Sequence, residues 1–185
     1  MKNIKKYENL LPINENNPNF SIKTFESFID DGVSKIDWEE ADRTIPRFSP
    51  FVVTDLETGK SWEMMRTSGK FHADVEPITK EDSKEMLSCF PKERSFESAT
   101  YRPVIVSIGV ERYKAALMGF PHAGSNSTPF GQKTKKLSGG FRNMPNWDYN
   151  RDNSIVGHFC LHFPGSVRHT DKKEDPNAQK AIMSF

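Results

Sequence analysis

From His158 onward the stretch Gly157-His158-Phe159-Cys160-Leu161-His162-Phe163 alternates polar and apolar residues without a break. Successive side chains of an extended strand point to opposite faces, so Phe159, Leu161 and Phe163 fall on one side and His158, Cys160 and His162 on the other. The apolar side belongs to a core. The other side sets a thiol between two imidazoles, with neighbours on that face roughly 6 to 7 Å apart. A thiolate is a nucleophile, and an adjacent imidazole can take its proton or, when charged, lower its pKa. The plain alternative is a small buried Cys160 among hydrogen-bonded histidines.

Working outward, Pro103 to Ile108 is rich in β-branched residues and runs through a Gly109 turn into Arg112 to Met118, a hairpin central in the sheet. Phe51 to Asp55 and Lys60 to Arg66 flank Leu56-Glu57-Thr58-Gly59 and predict another. Thr79 with Asp82 forms a capping-box pattern that opens a helix over 80–89. Ile22, Phe25, Phe28 and Ile29 have helical spacing, and Asp175-Pro176 starts a last helix. Residues 120–153, dense in Gly, Pro, Ser and Asn, read as a long lid-like loop, and residues 1–20 as a leader or linker. The expected fold is β-rich α+β: one domain over 21–185, a mixed sheet or sandwich with short peripheral helices.

Lys plus Arg is 26 against 25 for Asp plus Glu, so a net charge of +1 gives no field to recruit nucleic acid. Lys133, Lys135, Lys136 and Arg142 are then a solvated face. Gly131-Gln132-Lys133-Thr134 lacks the glycine directly before the lysine and the leading strand that a phosphate loop needs. No apolar run of about 18 residues predicts membrane insertion. Met1 to Tyr7 is Lys-rich without the apolar stretch of a signal peptide. Cys89 and Cys160 make neither a disulfide framework nor a CxxC metal pattern, and Cys89 sits at a core position of its helix. Trp38, Trp62 and Trp147 are core or lid residues by default.

His158, Cys160 and Leu161 match, position for position, the Ser/Thr-His-Gly-Cys-apolar-Arg/Asn strand end of the L,D-transpeptidase catalytic domains, which this sequence resembles. Phe120-Pro121-His122-Ala123-Gly124 is similar to that family's upstream histidine segment, while Gly157, Phe159 and His162 depart from its pattern. A wider resemblance, from about Asp55 to Ile182, is to a set of bacterial cell-wall-associated domains. It rests on His72 to Pro77, Pro121 to Gly124, Gly157 to Phe163 and Asp175 to Gln179. The resemblance implies an L,D-transpeptidase-like fold and a Cys/His acyl-transfer enzyme acting on peptidoglycan stem peptides. Cys160 would attack a carbonyl, His122 or His158 would act as base, and His162 would lie beside them, with no cofactor. It also implies a cell-wall or extracellular location, reached within a larger exported protein or a phage-type assembly.

A metal offers rival chemistry. His72-Ala73-Asp74 in an extended segment puts two ligand types on one side, and His158 or His162 completes a three-ligand zinc set with a fourth position left for water. Glu76 is then the candidate general base. His158 and His162, about 13 Å apart along a strand, cannot share one ion. His169 reads as outer support. The bland reading of His72 and Asp74 is a local turn with the imidazole bonded to backbone. A third possibility for the whole chain is a non-catalytic wall-binding or assembly module.

Overall fold

Val75 pairs with Phe159 and Ala73 with Leu161, and following that apolar face from strand to strand leads around a closed barrel. A computed structural model describes residues 32–95 and 100–184. The leader over 1–20 and the helix expected over 21–29 lie outside the described residues. In chain order the elements are β1 (Val33–Ser34), α1 (Trp38–Thr44), β2 (Pro50–Asp55), β3 (Ser61–Ser68), β4 (Ala73–Pro77), α2 (Lys80–Ser88), β5 (Tyr101–Ile108) and β6 (Glu111–Met118). They are followed by β7 (Lys133–Thr134), β8 (Met144–Pro145), β9 (Phe159–His162) and α3 (Pro176–Met183).

The barrel order is β6-β5-β2-β3-β4-β9, every neighbour antiparallel, and β9 closes it by pairing back onto β6 through Ala116 with His162 and Leu117 with Leu161. Closure replaces the expected mixed sheet or sandwich, and it leaves these six strands no shared edge to protect. The two-residue β1 pairs with β6 in parallel. Both expected hairpins form, as β2–β3 and β5–β6.

Phe51, Val53, Trp62, Met64, Val104, Val106, Leu117, Phe159 and Leu161 fill the interior, as a barrel of this size requires. The three helices sit outside it, each fixed by a side-chain cap. Asp37 accepts from Glu40 N at 2.9 Å; Thr79 and Asp82 exchange both bonds of the expected capping box; Asp175 accepts from Asn177 N at 2.9 Å with Pro176 in the first turn.

Arg66, 1% exposed, ties α1 to the turn before β4. Its guanidinium donates to the carbonyls of Asp42 (3.0 Å) and Gly69 (2.9 Å), pairs with the Asp42 carboxylate, and lies 5.1 Å from the centre of the Trp38 ring. That turn leads directly to His72. Among the described residues no helix is long and apolar enough to cross a membrane.

Candidate functional site

Because Phe159 and Leu161 point inward, Cys160 and His162 project from the outer face of the barrel, as period-two alternation demands. Cys160 stands opposite Asp74 in the β4–β9 ladder. Continuing that register sets His72 opposite His162, and their rings stack with centroids 4.4 Å apart at 19°. His158, just before β9, is joined to His122 by a reciprocal backbone bridge in which each N–H donates to the other's carbonyl at 3.0 Å. The bridge brings those two imidazoles to 4.4 Å between centroids. His169 comes from the segment after β9 and meets the His72 ring edge-on at 4.8 Å. All five histidines of the chain therefore line one cavity of about 940 Å³, together with Asp74 and Cys160.

Two glycines make this crossing feasible. Gly157 has φ +111°, and a Cβ there would lie 2.3 Å from the carbonyl oxygen of His122. A Cβ on Gly124 would lie 2.1 Å from Gly157 N, so the two backbones run in direct contact. Gly157→Ala is expected to lower stability by about 1–3 kcal/mol through backbone strain alone, and to part His122 from His158. Thermal unfolding with imidazole NMR checks both, and an unchanged pair of ring signals would sink the bridge as the cause of their approach.

The long segment over 120–153 is a packed layer rather than a loose lid. Buried Asn146 accepts from Ser125 N at 2.8 Å and donates to Ser125 O at 3.1 Å. Glu76, fully buried, accepts from Tyr149 N and Asn150 N at 2.9 and 2.8 Å. These bonds hold Phe141, Met144 and Trp147 as one wall of the cavity. Glu76, the sequence-based candidate for general base, is not among the residues lining the cavity and anchors its cover through both carboxylate oxygens.

The polar groups fall into a consistent pattern. His72 Nδ1 lies 3.0 Å from Val167 O, so that nitrogen carries the proton and donates it, and Nε2 keeps its lone pair. His72 Nε2 and Asp74 Oδ1 are 3.6 Å apart, buried, and both without a hydrogen-bond partner. His158 Nε2 is also 3.6 Å from Asp74 Oδ1. The other carboxylate oxygen, Oδ2, accepts from Ser68 Oγ at 2.5 Å. His122 repeats the arrangement: Nδ1 donates to Phe120 O at 3.0 Å, and Nε2 faces Cys160 Sγ at 3.6 Å.

Burial pushes His72 below the ordinary histidine value and His122 down to about 3, so both rings are neutral near pH 7. Burial also lowers His162 well below its usual range and raises the Cys160 thiol, which the Asp74 charge pushes further up. For Asp74 burial acts upward, but the His158 and His72 imidazoles and the Ser68 hydroxyl outweigh it and hold the carboxyl below its usual range. The resting site thus sets the Asp74 carboxylate beside the neutral His72, His122 and His162 rings and a protonated thiol. A thiolate–imidazolium pair is disfavoured there, whereas an incoming cation finds lone pairs already aimed at it.

No known protein family, no curated protein and no solved structure matches the chain. The site is read from its own chemistry. Cys160, His122, His158, His162, His72 and Asp74 all converge on the cavity. His169, read from sequence as outer support, is part of its wall, and so is Trp147. Trp62 and Cys89 are core residues, and Lys133, Lys135, Lys136 and Arg142 are exposed. Sequence reasoning missed Ser68 and Tyr101. The Tyr101 ring meets His162 edge-on at 5.4 Å and its hydroxyl donates to Asp175 Oδ2 at 3.2 Å. Tyr101 opens a strand in the face-alternating pattern, which was the available signal. Ser68 sits past a register shift in β3, where alternation no longer predicts direction.

Proposed function

We propose that the cavity is the active site of a metal-dependent hydrolase that cuts amide bonds in bacterial cell-wall peptides, with one zinc-type divalent ion at Asp74 between His72 and His158. The observation that carries this reading is the pair of partnerless buried acceptors, His72 Nε2 and Asp74 Oδ1, 3.6 Å apart. Two ligand atoms on one tetrahedral zinc ion lie about 3.4 Å apart, from bond lengths of about 2.0 to 2.1 Å. Leaving such acceptors unpaired in a buried site costs about 1–3 kcal/mol each, which an ion would relieve. The backbone carbonyl behind His72 is the outer partner that metal-binding histidines characteristically have.

An ion there would polarise a bound carbonyl and lower the pKa of water. Asp74 supplies the negative charge, and Ser68 fixes its carboxylate plane through Oδ2 so that Oδ1 faces the histidines. Phe141, Met144 and Trp147 offer apolar surface to a substrate, and Arg168 adds a positive charge to the lining. Peptidoglycan as substrate and the cell wall as location rest on the motif resemblance of the four segments, not on the cavity.

A second reading, L,D-transpeptidase-like acyl transfer, is favoured by the Cys160 Sγ to His122 Nε2 contact of 3.6 Å. Cys160 would attack and His122 would accept its proton, against the upward push of burial on the thiol. One experiment separates the two. Isolated peptidoglycan is incubated with the purified chain, and newly released amino groups are counted. Loss of release on chelation, with recovery on adding zinc, supports the hydrolase. Release that survives chelation, with a substrate-derived adduct on Cys160 in the mass spectrum, selects acyl transfer. No release under either condition leaves the wall-binding module.

A further inference from the structure

We infer that the same cavity takes a second cation beside the first, held by His122, His158 and Cys160, with Asp74 lying between the two ions. The inference deepens the metal reading and depends on it. Its basis is that two of the three ligand groups in the cavity have no member in common, while the third, His72, Cys160 and His162, borrows from both. The Nε2 or Nδ1 and carboxylate atoms of His72, Asp74 and His169 lie within 4.8 Å of one another, and so do the ligand atoms of His122, His158 and Cys160.

One zinc ion takes four or five ligands and cannot engage six residues. An ion at Asp74 with His72 and His158 leaves His122 and Cys160 unused, although His122 is already turned for ligation by its Nδ1 bond to Phe120 O. Sulfur and nitrogen on one tetrahedral zinc ion lie about 3.6 Å apart, from bonds of about 2.3 and 2.1 Å. The Cys160 Sγ to His122 Nε2 separation is 3.6 Å. Asp74 Oδ1 is 3.6 Å from a nitrogen of each set, His72 Nε2 in one and His158 Nε2 in the other, which is the position of a bridging carboxylate oxygen. With two ions present His158 belongs to the Cys160 set and His169, at the cavity rim, completes the other.

The ligand types differ between the sets, and that has a consequence. A thiolate selects zinc, copper(I) or a similar soft or borderline ion and rejects magnesium and calcium. Coordination forms a sulfur–metal bond as the Cys160 S–H bond breaks, and the proton leaves to solvent, so filling this site releases one proton that filling the other does not. The thiolate and the Asp74 carboxylate together offset half of the four positive charges brought in. Cys160 is therefore the residue on which the second ion depends.

The test strips the purified chain of metal and titrates it with zinc(II) and, separately, cobalt(II). Bound equivalents are counted by native mass spectrometry, and proton release by calorimetry in buffers of different ionisation heat. Two equivalents are expected, with a sulfur-to-cobalt charge-transfer band and one extra proton on the second. Cys160→Ser and His122→Gln should each hold one equivalent and neither should show the band, and circular dichroism shows whether each variant keeps the barrel. One equivalent without the band in the unaltered chain overturns the second site and leaves the hydrolase reading standing. One equivalent with the band also overturns it, because a single ion then sits on Cys160. Two equivalents in Cys160→Ser overturn the assignment of Cys160. No bound metal removes both proposals together.

Discussion

Asp74→Asn is expected to bind zinc more than about 100-fold more weakly than the unaltered chain while folding to the same barrel. Loss of an outer-shell partner alone costs about 10- to 100-fold in metal affinity, and in the proposed site Asp74 would stand inside that shell as the negative charge facing the neutral His72 ring. Asparagine is nearly isosteric and its carbonyl oxygen can still accept from Ser68 Oγ, which now meets Asp74 Oδ2 at 2.5 Å. The atom then turned toward His72 and His158 is an amide nitrogen, which carries protons and no ligand lone pair. Hydrolysis should fall with the metal. Zinc calorimetry read beside an unchanged circular dichroism spectrum measures the effect, and an affinity within threefold of the original would place the ion away from Asp74.

The same argument explains what sequence could and could not disclose. The strand at 157–163 was legible because one buried face imposes period two, and that alternation correctly put His158, Cys160 and His162 together. Local signals likewise located both hairpins and the capped helices α2 and α3. Barrel closure was not legible. It requires β9 to pair with β4 on one side and β6 on the other, and both registers are set by contacts between residues far apart in sequence. The packing of the loop over 120–153 was not legible for a different reason. Its Gly, Pro, Ser and Asn content is that of an open loop, and nothing local reveals that Asn146 and Glu76 satisfy its backbone from inside. That Glu76 also anchors this segment was therefore not legible. His72 and Asp74 were found as a pair by their spacing, whereas their third neighbour depended on the same non-local register.

Away from the cavity the largest stability effect is expected at Asp55. Its carboxylate, fully buried at the end of β2, receives Arg102 Nε and Nη2 at 2.7 Å each, Thr58 N at 2.8 Å and Thr58 Oγ1 at 2.7 Å. One side chain thus joins β2 to β5 and closes the turn into β3. Breaking a buried ion pair by removing one partner costs about 3–5 kcal/mol. Asp55→Ala should fall near 3, because Arg102 keeps Glu57 and its side chain is 12% exposed. The pH dependence has a definite sign. Burial pushes the Asp55 carboxyl up, but the Arg102 and Thr58 bonds outweigh it, so its folded pKa lies below the unfolded value of about 3.9. A depressed carboxyl contributes stability that is complete above the unfolded pKa and lost as pH falls through the folded one. The difference between the original and Asp55→Ala, read from urea unfolding midpoints, should therefore be constant near neutrality and shrink below about pH 4. A gap that stayed constant into strong acid would mean that Asp55 acts by shape alone, and a loss under about 1 kcal/mol would place the pair with surface bridges.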